Sequence, residues 1–252
     1  MMTSAIAIIP ARLGSTRFPG KMLADKTGKP LIVHVVEQVR RARRVSQIIV
    51  AADDQRIVAA VEKFGGQAVM TRCDHPNGTS RIAQVVAQLE PQESNLIVNV
   101  QGDEPQIEPR VIDELVDALV ADTQSQMATV ASDFAEDENP ADPNITKVVV
   151  DQHGRAMYFS KSLIPFDRDG TGGLRPLKHP GIYAYRRDFL LKYVTMAPTP
   201  LEQIEQLEQL RALEHGYSIA VVKTICRHHG IDTAQQYDEF VRSYLASANK
   251  RR

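Results

Sequence analysis

Short apolar runs separated by amphipathic stretches set the layout of this chain. Residues 5–9, Ala-Ile-Ala-Ile-Ile, are wholly apolar, the pattern of a parallel strand covered on both faces, although such a run alone also suits a buried helical turn. Pro10 follows and, lacking an amide hydrogen, is expected to end the ladder. Over residues 30–44 the apolar positions Leu31, Val35, Val36 and Val39 recur at helical spacing, and Arg40, Arg41, Arg43 and Arg44 suit the negative end of that helix's dipole. Residues 47–51 read as the second strand, Asp53-Asp54 leads into a helix reaching Phe64, and 67–70 is the third strand. Residues 95–100 form the next strand, and helices are expected from Pro109, over 201–215, and from about Thr233. Residues 146–151, 157–160 and 181–185 read as strands of a small insertion, with 167–173 a mobile loop. This rhythm predicts one α/β domain over residues 1–252, with three layers, a mainly parallel sheet and a small β-rich extension at about 145–186.

Charge and cysteine content narrow what such a domain does. A formal net charge of −1 over 252 residues gives no general attraction to nucleic acid or to a membrane surface, so an anion site has to be local. No stretch approaches the ~20 apolar residues that span a bilayer, and the N-terminus lacks a secretory charge-apolar-cleavage pattern, so a cytoplasmic protein is expected. Cys73 and Cys226 are too few for a disulfide framework or a four-cysteine zinc site. His228-His229 beside Cys226 match no zinc spacing and read as surface histidines.

The chemistry concentrates after the first strand. Arg12, Arg17 and Lys21 supply positive charge, while Gly14 and Gly20 allow close approach of backbone to ligand. Five residues separate Gly14 from Gly20, and Met22 follows Lys21, so this is not a Walker loop; nor does it carry the Gly-x-Gly-x-x-Gly of a dinucleotide site. Open α/β sheets bind ligands at the carboxyl ends of their strands, which makes the loop a cradle for a nucleoside triphosphate. The strand at 95–100 delivers Gln101-Gly102-Asp103-Glu104-Pro105 to the same edge. Asp103 there suits magnesium, which bridges one or two carboxylates to substrate phosphates, whereas an Asx turn or helix cap is its ordinary structural use.

Segments 9–23, 99–105, 158–165, 179–185, 200–211 and 230–233 together resemble the bacterial 3-deoxy-manno-octulosonate (Kdo) cytidylyltransferases. The most specific are His179-x-Gly181-Ile182-Tyr183, Pro200-Leu201-Glu202 and Leu207-Glu208-Gln209-Leu210-Arg211. The resemblance implies a nucleotidyltransferase-like fold and a magnesium-dependent homodimeric enzyme of lipopolysaccharide biosynthesis. Its reaction transfers CMP from CTP to the anomeric hydroxyl of Kdo and releases pyrophosphate. It implies that Arg12, Lys21 and Asp103 are catalytic, that Pro10, Ala11, Arg12, Gly14, Ser15, Lys21, Gly78, Arg81 and Gln101 meet the nucleotide, and that Asp103 and Asp232 hold magnesium. Lys161, His179, Tyr183, Glu208 and Gln209 are implied at the sugar.

Without the resemblance, Asp232 reads as a helix N-cap, Asn77-Gly78-Thr79 as a turn and cap, His179 and Tyr183 as satisfied strand residues, and Glu208 and Gln209 as the solvent face of a helix. Two positions depart from the family pattern: Ser80 stands where a carboxylate is usual, and Lys161 where arginine is usual. Lysine keeps the charge but loses planar, bidentate recognition. An amino analogue of Kdo or another acid sugar therefore stays open as substrate, and a catalytically silent CTP-binding regulator is the alternative of another class, against which intact Lys21 and Asp103 stand.

Overall fold

The computed structural model describes residues 4–90, 94–172, 175–226 and 230–249; Gly173 and His228-His229 lie outside the described residues. In chain order the elements are β1 Ala5–Ala11, a 3-10 turn Lys21–Leu23, α1 Leu31–Val39, β2 Val45–Ala52, α2 Gln55–Lys63, β3 Gln67–Met70, α3 Gly78–Val86, β4 Leu96–Asn99 and α4 Pro109–Ala121. There follow β5 Met127–Asp133, β6 Lys147–Val150, β7 Ala156–Ser160, β8 Leu177–Lys178, β9 Tyr183–Arg186, α5 Arg187–Tyr193, α6 Pro200–Glu205, α7 Gln209–Glu214, β10 Ile219–Lys223 and α8 Ala234–Asn249. The chain divides into two compact units.

The N-terminal unit comprises Ala5–Glu93, Asn99–Pro109 and His228–Arg252. Its strands β1, β2 and β3 are parallel neighbours, with Ile9 opposite Val50 and Ile49 opposite Gln67. Residues 5–9 are fully buried, as the unbroken apolar run requires. Pro10 does not end the ladder: the register continues through Pro10↔Ala51 to Ala11↔Ala52, because proline removes one donor from a strand but not its extended backbone. Helix α1 is shorter than the 30–44 stretch expected for it and stops at Val39, the last of its apolar positions. The chain must be extended again by Val45, which pairs with Ala5, so Arg43 and Arg44 lie beyond the helix instead of at its carboxyl end. Leu31, Ile231, Tyr237, Phe240 and Val241 form a cluster against which Phe18, Ala24 and Tyr244 pack. Each large apolar side chain fully buried in this way contributes about 1.5–3 kcal/mol. That cluster docks α8, together with the segment preceding it, against the start of α1 and the loop after β1.

The central unit comprises Met1–Ser4, Ser94–Val98 and Arg110–Arg227. Its strands run in the order β4, β9, β5, β8, β6, β7, with β10 parallel to β5 and the β5–β9, β5–β8, β6–β7 and β6–β8 pairs antiparallel. Strands β6, β7 and β8 form the β-rich extension, but the strand expected at 181–185 is β9, which pairs with β5 instead, and the extension's third strand is the short β8. The single helix expected over 201–215 is two helices. Gln206 adopts φ 54°, the only positive φ at a non-glycine among the described residues, and ends α6. The two short helices are then joined by a buried bidentate pair in which Arg211 Nε and Nη2 donate to Glu202 at 2.7 and 2.5 Å.

Candidate active site

Three segments of the N-terminal unit meet at Lys21. Gly20, at φ 70°, turns the loop after β1 into the 3-10 turn, a conformation glycine adopts without strain. Lys21 is thereby drawn inward to 7% exposure, and its Nζ donates to Asp103 Oδ2 at 2.6 Å, Ile231 O at 2.9 Å and Asp232 Oδ1 at 3.3 Å. All three ammonium donors are thus engaged. The Ile231 N–H donates to Asp103 O at 2.9 Å, and Arg17 Nη2 lies 2.9 Å from Asp232 Oδ1. Lys21 and Asp103, which lie 82 residues apart in sequence, therefore share one cluster with Asp232.

Neither carboxylate serves as a helix cap. At the start of α8 the Thr233 hydroxyl accepts from Gln236 N–H at 3.2 Å, while Gln236 Oε1 accepts from the N–H groups of Asp232 and Thr233 at 2.8 and 3.0 Å. This leaves the Asp232 side chain to Lys21 and Arg17. Gly102 fixes the approach of the other acid, because a Cβ on it would stand 2.7 Å from Pro10 O. The sequence drew attention to Asp103 but not to the need for glycine before it.

The flank of the loop is held by Asp53, which sequence reading passed over. Its Oδ1 accepts from Leu13 N–H at 2.8 Å and its Oδ2 lies 3.4 Å from Arg81 Nη2. The available signal was its place at the carboxyl end of β2. Arg81 is buried and also donates through Nη1 to Thr71 Oγ1 at 2.6 Å and Arg72 O at 3.0 Å. Burial lowers its pKa, Asp53 opposes that, and the positive charge of Arg12 lowers it further. Asn77 caps α3 through a 2.8 Å bond from Ser80 N–H, so the turn-and-cap account of 77–79 holds. Gly78 packs on Pro10, where a Cβ would come within 3.2 Å of the ring. Arg12 and Gly14 are exposed, Ser15 and Gln101 half-buried and Ala11 buried; no protein atom lies within 4 Å of a Cβ placed on Gly14.

Asp103 and Asp232 form a donor set suited to magnesium. Among the described residues no group of three or more His, Cys, Asp or Glu side chains converges as a metal site. Magnesium does not need one, since it binds through one or two carboxylates and takes its remaining oxygens from water and phosphate.

The remaining sequence-implied residues belong to the central unit. His179 is buried, its N–H donates to Thr146 O at 2.8 Å, and its Nε2 lies 2.8 Å from Thr129 Oγ1. Because the Thr129 hydroxyl donates to Ile182 O at 2.7 Å, Nε2 carries the proton and Nδ1 is left as an acceptor. Burial lowers the His179 pKa to about 3, so the ring is neutral. Its ring centroid is 4.8 Å from that of Phe159 and 5.4 Å from that of Tyr183. Burial, then the charges of neighbouring groups including Glu208, raise the pKa of the Tyr183 phenol well above its ordinary value. The break at Gln206 takes Glu208 and Gln209 off the single solvent-facing helix they were expected to share. Gln209 is only 4% exposed, and its Nε2 has no hydrogen-bond partner among the described residues. Lys161 is half-buried at the end of β7.

The family model described as cytidylyltransferase matches residues 6–225. A 3-deoxy-manno-octulosonate cytidylyltransferase of Geobacter metallireducens is 49% identical over 245 residues, covering 93% of this chain and 95% of the relative. Another of the same description from Solibacter usitatus is 44% identical and covers 98% and 97%. The solved structure of a CMP:2-keto-3-deoxy-manno-octonic acid synthetase complexed with CTP superposes with a TM-score of 0.91 at 39% identity, over 97% of this chain and all of that one. A 4-diphosphocytidyl-2C-methyl-D-erythritol synthase of Anaerococcus prevotii shares the fold alone, with a TM-score of 0.60 at 16% identity. The fold is accordingly the three-layer α/β nucleotidyltransferase fold with a mixed sheet. With matches of this extent the chain belongs to the cytidylyltransferase family and, within it, to the 3-deoxy-manno-octulosonate cytidylyltransferases.

Proposed function

We propose that residues 1–252 act as one cytidylyltransferase domain that transfers CMP from CTP to the anomeric hydroxyl of Kdo. The hydroxyl oxygen bonds to the α-phosphorus, the bond from that phosphorus to the β-phosphate bridging oxygen breaks, and pyrophosphate leaves with the electron pair. The hydroxyl proton passes to solvent. Such transfers need little covalent work from the protein; alignment and stabilisation of charge on the phosphoryl oxygens carry them.

The observation that carries this reading is the convergence of Lys21, Asp103 and Asp232 within hydrogen-bonding distance beside the loop that follows β1. Exposed Arg12 and the backbone of residues 11–15 receive the triphosphate, with Asp53 and Arg81 keeping that backbone in place. Lys21 joins them by exchanging one carboxylate for a phosphate oxygen. Gln101 and Gly78 complete the nucleotide side. Asp103 and Asp232 would hold magnesium, which when bound polarises the phosphoryl group and lowers the pKa of the attacking hydroxyl.

For the sugar, we assign Lys161 to the carboxylate and His179 Nδ1, Tyr183, Glu208 and Gln209 to hydroxyls. Support comes from the orphaned Gln209 amide, since a buried donor without a partner costs stability unless a ligand satisfies it. The chain is proposed to act as a homodimer through the central unit, where Phe166 is 86% and Ile204 82% exposed and Met157 and Leu163 are also exposed. No helix among the described residues is long and apolar enough to cross a membrane, and a cytoplasmic location fits the nucleotide substrate.

The test is pyrophosphate release by the purified protein with each nucleoside triphosphate, against Kdo, its 8-amino analogue and sialic acid, with and without magnesium. Turnover confined to CTP with Kdo and magnesium is expected. Turnover only with the amino analogue would move the sugar assignment, and CTP binding without pyrophosphate release across the panel would refute the enzymatic reading.

A further inference from the structure

The backbone of Lys161 is gripped by charged side chains at both its N–H and its carbonyl. Its N–H donates to Glu205 Oε2 at 2.9 Å, and its carbonyl accepts from the ammonium of Lys147. Lys147 is fully buried on β6 and spends its other two donors on Asp142 O at 3.0 Å and Ile145 O at 2.7 Å. These three hydrogen bonds thus all go to backbone carbonyls; burial lowers the Lys147 pKa, and the charges of Asp142 and Glu205 oppose that. Glu205 is equally committed: besides the Lys161 N–H, its carboxylate accepts from the Ser160 hydroxyl and, at 3.4 Å, from the Tyr158 hydroxyl. Burial raises the Glu205 pKa, but the bonds from Ser160, Lys161 and Tyr158 outweigh it, and the net shift is downward.

Glu205 is the last residue of α6, directly before left-handed Gln206. A non-glycine residue in that conformation is strained and persists where surrounding structure enforces it. The strained link separates Glu205, turned onto β7, from Glu208 and Gln209 at the start of α7. One helix break thus sets the Lys161 backbone and the Glu208-Gln209 pair together.

We propose that Glu205, with Lys147 holding the backbone on the other side of the Lys161 Cα, is a positioning residue for acid-sugar recognition, aiming the Lys161 ammonium without touching substrate. This rests on the assignment of Lys161 to the sugar carboxylate. The experiment compares steady-state kinetics of the parent, Glu205→Ala, Glu205→Gln and Lys147→Met, varying Kdo and CTP separately and measuring melting temperature. Glu205→Ala is expected to raise the KM for Kdo about tenfold, the effect of losing one hydrogen bond to a charged group. The KM for CTP should stay within about twofold. Glu205→Gln retains one acceptor for the Lys161 N–H and should recover part of the loss. Lys147→Met should shift the Kdo KM in the same direction if it is folded; if it fails to fold, the Glu205 pair decides alone. An unchanged Kdo KM in Glu205→Ala, or equal rises in both KM values, would overturn the positioning role while leaving the transfer reaction standing. No turnover of Kdo by the parent would instead bring down the functional reading and this inference with it.

Discussion

Replacing Lys21 by methionine keeps the aliphatic stem in its buried slot and removes only the charge. In the parent, one ammonium faces two carboxylates at 2.6 and 3.3 Å, with its side chain 9% exposed and theirs 25% and 39%. Breaking a buried pair by deleting one partner costs about 3–5 kcal/mol. Water reaching both acids screens the charge left behind, which reduces the expected cost to about 2–3 kcal/mol. In a chain of this size that lowers the melting temperature by about 4–12 °C. The buried cluster makes the substitution costly to the fold as well as to catalysis. Magnesium should recover more stability in the variant than in the parent, because a divalent cation answers the same pair of carboxylates, and at a concentration of about 100 times its Kd it returns about 2.7 kcal/mol. Thermal melts of both proteins with and without magnesium measure this, and turnover should fall by about 3 kcal/mol of transition-state stabilisation. A variant that melts with the parent, gains no more from magnesium and turns over at the parent's rate would refute Lys21 as counter-ion and as catalyst.

Asp103→Asn replaces a hard anionic oxygen with a poorer neutral ligand and should move the magnesium activation curve to higher concentration; coincident curves would remove Asp103 from the metal site. His34 and His179 are neutral in the folded protein because burial lowers their pKa values to about 4 and about 3. The unfolded chain protonates them below about pH 6.5, so stability is complete above that pH and falls on acidification by up to about 1.4 kcal/mol per pH unit for each, levelling off at the folded values. His34→Gln should flatten that slope between about pH 6 and pH 4, and denaturant titrations giving parallel slopes would exclude the histidine. Gln209→Met deletes an orphaned donor, so it should raise the Kdo KM about tenfold without lowering the melting temperature; a destabilised variant with an unaltered KM would make the residue structural. Asn77→Ala removes the α3 cap and should cost about 1 kcal/mol in denaturant titrations, against no change if Ser80 N–H finds another acceptor.

Parallel strands and the cationic loop were legible because each announces itself locally. A fully apolar run such as 5–9 has one economical use in an α/β chain, and glycines among arginines after it mark an anion site. Helix ends were less legible. The helices expected to run past Val39 and past Glu205 stop there, the first because Val45 must pair with Ala5, 40 residues away in sequence, and the second because Gln206 turns left-handed. Asp53 escaped notice for a related reason. Its value lies in joining Leu13 and Arg81, which lie 40 and 28 residues away, and no local pattern signals such a bridge.

Partner choice at the site follows from its charge balance. Arg17, Lys21 and Arg81 face Asp53, Asp103 and Asp232, so the site answers this positive charge with its own acids. A triphosphate brings about four negative charges and would be repelled by the acids if they were left uncompensated. Lys21 solves the ligand-free half of that problem by sitting between Asp103 and Asp232. A divalent cation entering with the nucleotide would release the ammonium for phosphate, so nucleotide and metal affinities should be coupled through this one residue. Isothermal titration of CTP with and without magnesium, on the parent and on Lys21→Met, would measure that coupling. Equal coupling in the two proteins would mean that the acids bind metal without Lys21 changing partners.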